Sequence, residues 1–165
     1  SDKINHSIKI NGSGLNTIDG LFCFNNELTN LDVSHNPKLK TLDVLRNKLK
    51  NIDVSKNLEL TELNCTLNQL KSLDVSKNTL LEILSCENNQ LKSLDVRNNT
   101  KLMSLFLRSN QLSSNQLNLL FETLHKNKIW EKTIFIGGNP GAESCDKSIA
   151  TSKGWIVDSE AVEFK

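Results

Sequence analysis

Four aspartates, Asp32, Asp53, Asp74 and Asp95, return at an interval of 21 residues. On stacked coils they would line up as carboxylates ~5 Å apart, an arrangement that holds calcium in some repeat proteins. The charges around them favour a different role. Lys50, Lys71 and Lys92 precede the last three aspartates, and His35, Lys56, Lys77 and Arg97 follow the four in turn. Interleaved charge of both signs makes a neutralised, solvated face, on which Asp can accept turn amides. Calcium would need more oxygen ligands and fewer lysines. We therefore expect no metal site here.

The remaining reactive groups are scattered. His6, His35 and His125 share no register with a cysteine or serine, so no nucleophile–base pair is expected. His125 reads as a cation at a helix C-terminus. Cys145, near the start of an expected helix, would carry an acidified thiol if the helix end faced it, but reads more simply as a core thiol of a terminal cap. Gly137-Gly138-Asn139-Pro140-Gly141 lacks the Lys-Ser/Thr that completes a phosphate loop, and Pro140 removes an amide donor. The expectation is no catalytic residue, no cofactor and no metal.

Stepping from one repeat to the next shows which outward positions are free to vary. One column reads Phe22, Asp43, Asn64, Ser85, Phe106; two residues on it reads Phe24, Leu45, Thr66, Glu87, Arg108; the next is Asn25, Arg46, Leu67, Asn88, Ser109. Apolar side chains beside arginine are the composition of an interaction surface. The candidate ligand-binding residues are Phe22, Phe24, Leu45, Arg46, Leu67, Glu87, Phe106 and Arg108. For Phe22 and Phe24 the competing reading is cover by the N-terminal segment.

What must position these residues is the repeat itself. Leu60–Leu80 returns almost unchanged as Leu81–Lys101, the pattern fits Leu39–Glu59 and Ile18–Lys38, and Leu102–Leu112 opens a fifth copy. Each copy has two halves, LxxLxCxxNxL and LxxLDVxxN. In the first half, alternation as in Leu63-Asn64-Cys65 sends Leu63 and Cys65 inward and Asn64 outward, as a short strand does. Stacked copies then form a parallel sheet. Asn26, Asn47, Asn68, Asn89 and Asn110 make one register, and Asn36, Asn57, Asn78 and Asn99 a second. A buried Asn at each turn can bond the backbone of adjacent coils. A lone coil buries too little to hold its order; stacking makes the array stable.

Outside the repeats, Ile8-Lys9-Ile10 alternates like a short strand capping the N-terminal end, with Gly12 and Gly14 breaking periodicity after it. Beyond Leu112, Ser113–Gln116 has the form of a capping box, and Leu117, Leu120, Phe121 and Leu124 follow at helical spacing. Ile134-Phe135-Ile136 predicts a sixth strand, Asn139-Pro140-Gly141 a turn, Ser144–Lys153 a second helix N-capped by Ser144 and ended by Gly154, and Trp155-Ile156-Val157 a seventh strand. Trp130 and Trp155 read as cap hydrophobes. The expected fold is an α/β solenoid dominated by β-structure: residues 1–17 as N-terminal cap, 18–112 as five 21-residue repeats with the last partial, and 113–165 as a C-terminal cap, all one domain.

With 165 residues and a net charge of +1, the chain is domain-sized and lacks the basic excess of a nucleic-acid-binding face. No apolar run approaches the ~18–20 residues that span a bilayer. The chain opens on Ser1 with no signal-peptide pattern, which reads as a mature or trimmed chain. Cys23, Cys65 and Cys86 share a repeat slot with Val44 and Leu107, a small apolar slot in which free thiols pack well. A Cys65–Cys86 bridge between neighbouring coils would need particular geometry.

These motifs resemble leucine-rich-repeat proteins of the nested 21-residue type LxxLxCxxNxLxxLDLxxNxx, over residues 18–112. The tail Gly138–Val157 resembles the cap that ends such arrays in secreted or surface-anchored proteins of Bacteroidetes-type bacteria. The resemblance implies a non-catalytic recognition module, extracellular or at the cell surface, binding a protein partner such as a host extracellular protein through its strand face. Two other readings stand beside it. One is a carbohydrate- or mucin-binding adhesin domain with Phe22, Phe24 and Phe106 as platforms, weakened by the absence of Tyr and the confinement of Trp to the cap. The other is a structural spacer. Neither nucleic acid nor membrane insertion is expected.

Overall fold

In a computed structural model, residues 18–160 are described in full and residues 7–9 by their backbone. The first half of each repeat forms the main sheet. Its strands are β2 (Gly20–Phe22), β4 (Thr41–Asp43), β5 (Glu62–Asn64), β6 (Ile83–Ser85), β7 (Ser104–Phe106), β8 (Lys132–Phe135) and β9 (Trp155–Asp158). All seven are parallel and stack in chain order, apart from β3. The register is strict, with Leu21, Leu42, Leu63, Leu84, Leu105 and Ile134 partnering in turn. These side chains point inward, and from Leu42 to Ile134 they are fully buried.

Strand β1 (Ser7–Lys9) pairs in parallel with β3 (Asn30–Asp32). The N-terminal strand thus extends the second-half ladder of the first repeat, and does not join the main sheet. His6, Ile10, Gly12 and Gly14 lie outside the described residues. Beyond β3 the second halves form no strands: residues 51–53, 72–74 and 93–95 follow the same path without regular hydrogen bonding.

Buried amides join the coils. Asn47 donates through Nδ2 to Cys23 O (2.8 Å) and Val44 O (3.0 Å), and its Oδ1 accepts from Leu28 N (2.9 Å). Asn68, Asn89, Asn110 and, in the cap, Asn139 repeat the pattern. Asn26, on the first coil, is exposed. In the second register Asn78 donates to Val54 O (3.0 Å) and Asn57 O (2.9 Å), with Asn57 and Asn99 alike. The aspartate column also serves the turns: Asp32, Asp53, Asp74 and Asp95 each accept the amide two residues on, at 2.9–3.0 Å. Bonds from Ser55 and Ser76 hold Asp53 and Asp74 below the usual carboxylate range, and Arg97 does so for Asp95.

Helix α1 (Ser114–Thr123) is N-capped by Ser113, whose Oγ accepts from Gln116 N, and buries Leu117, Leu120 and Phe121. The second expected helix is cut to one turn, α2 (Ser148–Thr151). Gly141 is the reason for the delay. A Cβ there would lie 2.1 Å from Ser114 N, so the chain is pinned beneath the start of α1 and turns through residues 141–144. Asp146, rather than Ser144, then accepts from Ser148 N (3.0 Å). Gly154, at φ +80°, ends the turn.

Two further expectations, for Trp130 and His125, need correction, while Cys145 has the character expected of a cap thiol. Trp130 is 87% exposed, whereas Trp155 is buried and donates through Nε1 to His125 O (3.0 Å). His125 is not a cation: its Nε2 faces Leu102 O (2.7 Å), and its Nδ1 accepts from Asn127 N (3.2 Å), which requires the neutral ring. Burial, opposed by the bond to Leu102 and aided by Lys132, holds its pKa below the ordinary value. The Cys145 thiol is pushed up by burial, not acidified, since α2 starts three residues after it. All four cysteines are free thiols, so Cys65 and Cys86 are not bridged.

Two outcomes follow. Asn78→Ala leaves Val54 O and Asn57 O buried without their donor and should lower unfolding free energy in urea by about 2–4 kcal/mol. For His125, the unfolded ring binds a proton more readily than the folded one, so its contribution to stability is intact above the unfolded pKa of 6.5 and is lost as pH falls through it. The urea midpoint should drop between pH 7.5 and 5, and the drop should shrink in His125→Gln.

Candidate functional site

The register of β2 to β9 sets two outward columns: Gly20, Thr41, Glu62, Ile83, Ser104, Thr133, Ile156, and Phe22, Asp43, Asn64, Ser85, Phe106, Phe135, Asp158. The second repeats the expected column from Phe22 to Phe106, which holds two of the eight candidate residues, and adds Phe135, which the column drawn only over the repeats did not reach. The signal was present, since Ile134-Phe135-Ile136 copies the strand motif after the helical insertion. The first column, with Ile83 half-buried and Ile156 exposed, had not been singled out.

At the C-terminal end of this face the outward side chains close on one another. Phe106 and Phe135 stack with ring centroids 4.6 Å apart and planes 3° from parallel. Arg108 lies over Phe135, 4.5 Å from the ring centre. Its guanidinium meets Asp158 at 2.9 Å and Glu87 at 3.5 Å, and Nε donates to Glu160 O (3.1 Å). Glu87 and Arg108, expected to be outward and available, are largely covered, and so is Thr66. They stand two residues past the ends of their strands. Burial holds the Glu87 carboxyl above the usual range, although Arg108 pulls the other way.

At the N-terminal end the side chains stay open. Phe22 is 63% and Phe24 56% exposed, Leu45 and Leu67 are half-buried, and Arg46 is exposed. Arg46 forms no ion pair among the described residues. The third column has a backbone property that its variability concealed. Asn25, Arg46, Leu67, Asn88 and Ser109 all have φ between 52° and 58°, and Gly138 (φ 72°) continues the row. Each sits where the chain turns out of its strand. Gly and Asn tolerate that left-handed region, whereas residues such as Leu and Arg occupy it at a cost of about 1–2 kcal/mol.

The geometry provides an extended surface of mixed apolar and charged side chains. Among the described residues no three His, Cys, Asp or Glu side chains gather to hold a metal, and no helix is long and apolar enough to cross a membrane. The sequence matches no protein-family model, and it matches no curated protein. Solved structures do match. A leucine-rich-repeat protein of Leptospira interrogans superposes with a TM-score of 0.65 at 22% identity, over 87% of this chain and 43% of its own. The chain has the leucine-rich-repeat fold. The internalin inlF of Listeria monocytogenes gives 0.62 at 23% identity, over 84% of this chain and 42% of that one. The functional domain of InlJ from the same species, described as including a cysteine ladder, gives 0.57 at 22% identity, over 92% and 42%. The leucine-rich-repeat array here therefore spans about two fifths of the length of these three proteins.

The Arg108 cluster should be structural whatever the face binds. Arg108→Met leaves Glu87 covered and unpaired, and should lower unfolding free energy by about 1–3 kcal/mol. Adding Glu87→Gln should recover part of that loss, measured as a double-mutant cycle in urea.

Proposed function

We propose that this domain is a non-catalytic recognition module that binds a protein partner across the outward face of its seven-stranded sheet. The observation that carries the proposal is the contrast between inward positions held apolar, which build the stack, and outward columns whose character changes from coil to coil. Similarity to internalins and to another bacterial leucine-rich-repeat protein supports an interaction role. An extracellular or cell-surface location, with a host protein as partner, belongs to the same proposal and rests on the resemblance of the repeat and tail. Labelling of intact cells with an antibody to the domain tests it.

A glycan ligand is the second reading. The exposed rings of Phe22 and Phe24 favour it; the half-buried, mutually stacked Phe106 and Phe135 offer a sugar little free ring face.

The test is a binding screen against extracellular proteins and glycans, with a Leu45→Ala, Leu67→Ala, Phe106→Ala triple variant checked for folding. Protein hits weakened at least tenfold in the folded variant are expected. Glycan hits alone would transfer the assignment to the second reading, and protein hits unchanged by the variant would move the site off this face.

A further inference from the structure

The two arginines of the outward face are in opposite states, and the difference points to where a partner docks. Arg108 is saturated by Glu87, Asp158, Glu160 O and the Phe135 ring. Arg46 is exposed and forms no ion pair among the described residues. Asp43, on its own coil, accepts the Leu45 amide, and Glu27, on the coil before, pairs with Lys48; neither pairs with Arg46. Around Arg46 the register brings Phe22, Phe24, Leu45 and Leu67 onto three consecutive coils, a patch ~10 Å along the stack.

Backbone geometry adds an independent argument. Arg46 and Leu67 stand at φ 56° in a row where Asn25, Asn88 and Gly138 fit the backbone without penalty. Arg46 is exposed and Leu67 only half-buried, so the fold gains little from the strained choice. A residue that breaks a local rule with no structural return marks a functional position.

We infer that the partner docks at the N-terminal end of the strand face, on Phe22, Phe24, Leu45, Arg46 and Leu67. The docking element is a protein segment that presents an apolar side chain beside a carboxylate. The rings and leucines take the apolar group and Arg46 takes the charge. The inference rests on the protein-recognition reading above and assigns the closed Phe106–Phe135–Arg108 cluster to the scaffold.

Phenylpropionate, an aromatic ring joined to a carboxylate, is the probe, and phenethylammonium, with the charge reversed, is its control. Backbone-amide NMR of the full chain is recorded with each, on the native domain and on Arg46→Asn and Leu67→Asn. Phenylpropionate should shift amides around Phe24, Leu45, Arg46 and Leu67, and phenethylammonium should not. Both variants should melt higher than the native domain, because Asn suits the left-handed backbone, yet Arg46→Asn should bind phenylpropionate roughly tenfold more weakly. Loss of binding alongside a gain in stability cannot come from misfolding.

Shifts centred on Phe106 and Phe135 would overturn the location while leaving the protein-recognition reading intact. Equal response to both probes would overturn the carboxylate requirement, and no shift on the strand face would overturn the patch as a ligand site. The screen with the Leu45, Leu67 and Phe106 triple variant judges the underlying reading separately. A variant that melts no higher would remove the argument from backbone strain.

Discussion

Each coil of this solenoid turns sharply and leaves backbone groups that strand pairing cannot reach, and buried asparagine amides take up many of them. Asn47, Asn68, Asn89, Asn110 and Asn139 each bond carbonyls of their own coil and the coil before, and accept an amide from the preceding coil. Asn carries both donors and an acceptor on a short stem, so one side chain serves several buried groups. Leaving such groups unmet costs more than a typical hydrogen bond gains. The ladder therefore explains why that position does not vary, even where the helical insertion lengthens the interval between Asn110 and Asn139.

Because the asparagines and the inward leucines carry the stack, the outward positions of the sheet are released from structural duty. What the chain does with that freedom differs along its length. Near the cap, a stacked ring pair and a neutralised arginine bind the face to itself and tie the fourth coil to the last strand. Near the start the two rings and Arg46 are exposed, Leu45 and Leu67 are half-buried, and Arg46 forms no ion pair among the described residues. The left-handed row shows the same division, since some coils place Asn there and others accept strain to place Arg or Leu.

The cap uses a different currency. Lys132 is buried, and its ammonium donates to Lys153 O (2.7 Å), Asn127 O (2.9 Å) and His125 O (3.4 Å), with the Trp155 ring 5.6 Å away. Burial lowers its pKa. Lys153 in turn donates to Phe121 O (2.9 Å) and Glu122 O (2.6 Å) at the end of α1. Where the helical insertion interrupts the asparagine register, lysine ammonium groups take over the task of satisfying loose carbonyls.

The sequence alone determined the repeat, its strand positions, both asparagine registers, the N-cap of α1 and the structural duty of the aspartates. All of these repeat in register or follow from local chemistry, so the fold was legible before any coordinate. The eight candidate binding residues were legible as positions that vary. Their state was not. Whether Arg46 is open and Arg108 closed depends on side chains 21 and 50 residues away, and the left-handed turn appears only in the backbone. Likewise Trp130, His125 and the shortened second helix turned on contacts between α1, Gly141 and Trp155. Periodic local patterns repeat one physical environment and can be read along the chain, whereas the cap and the ends of the face are made by single contacts that exist only once the coils are stacked.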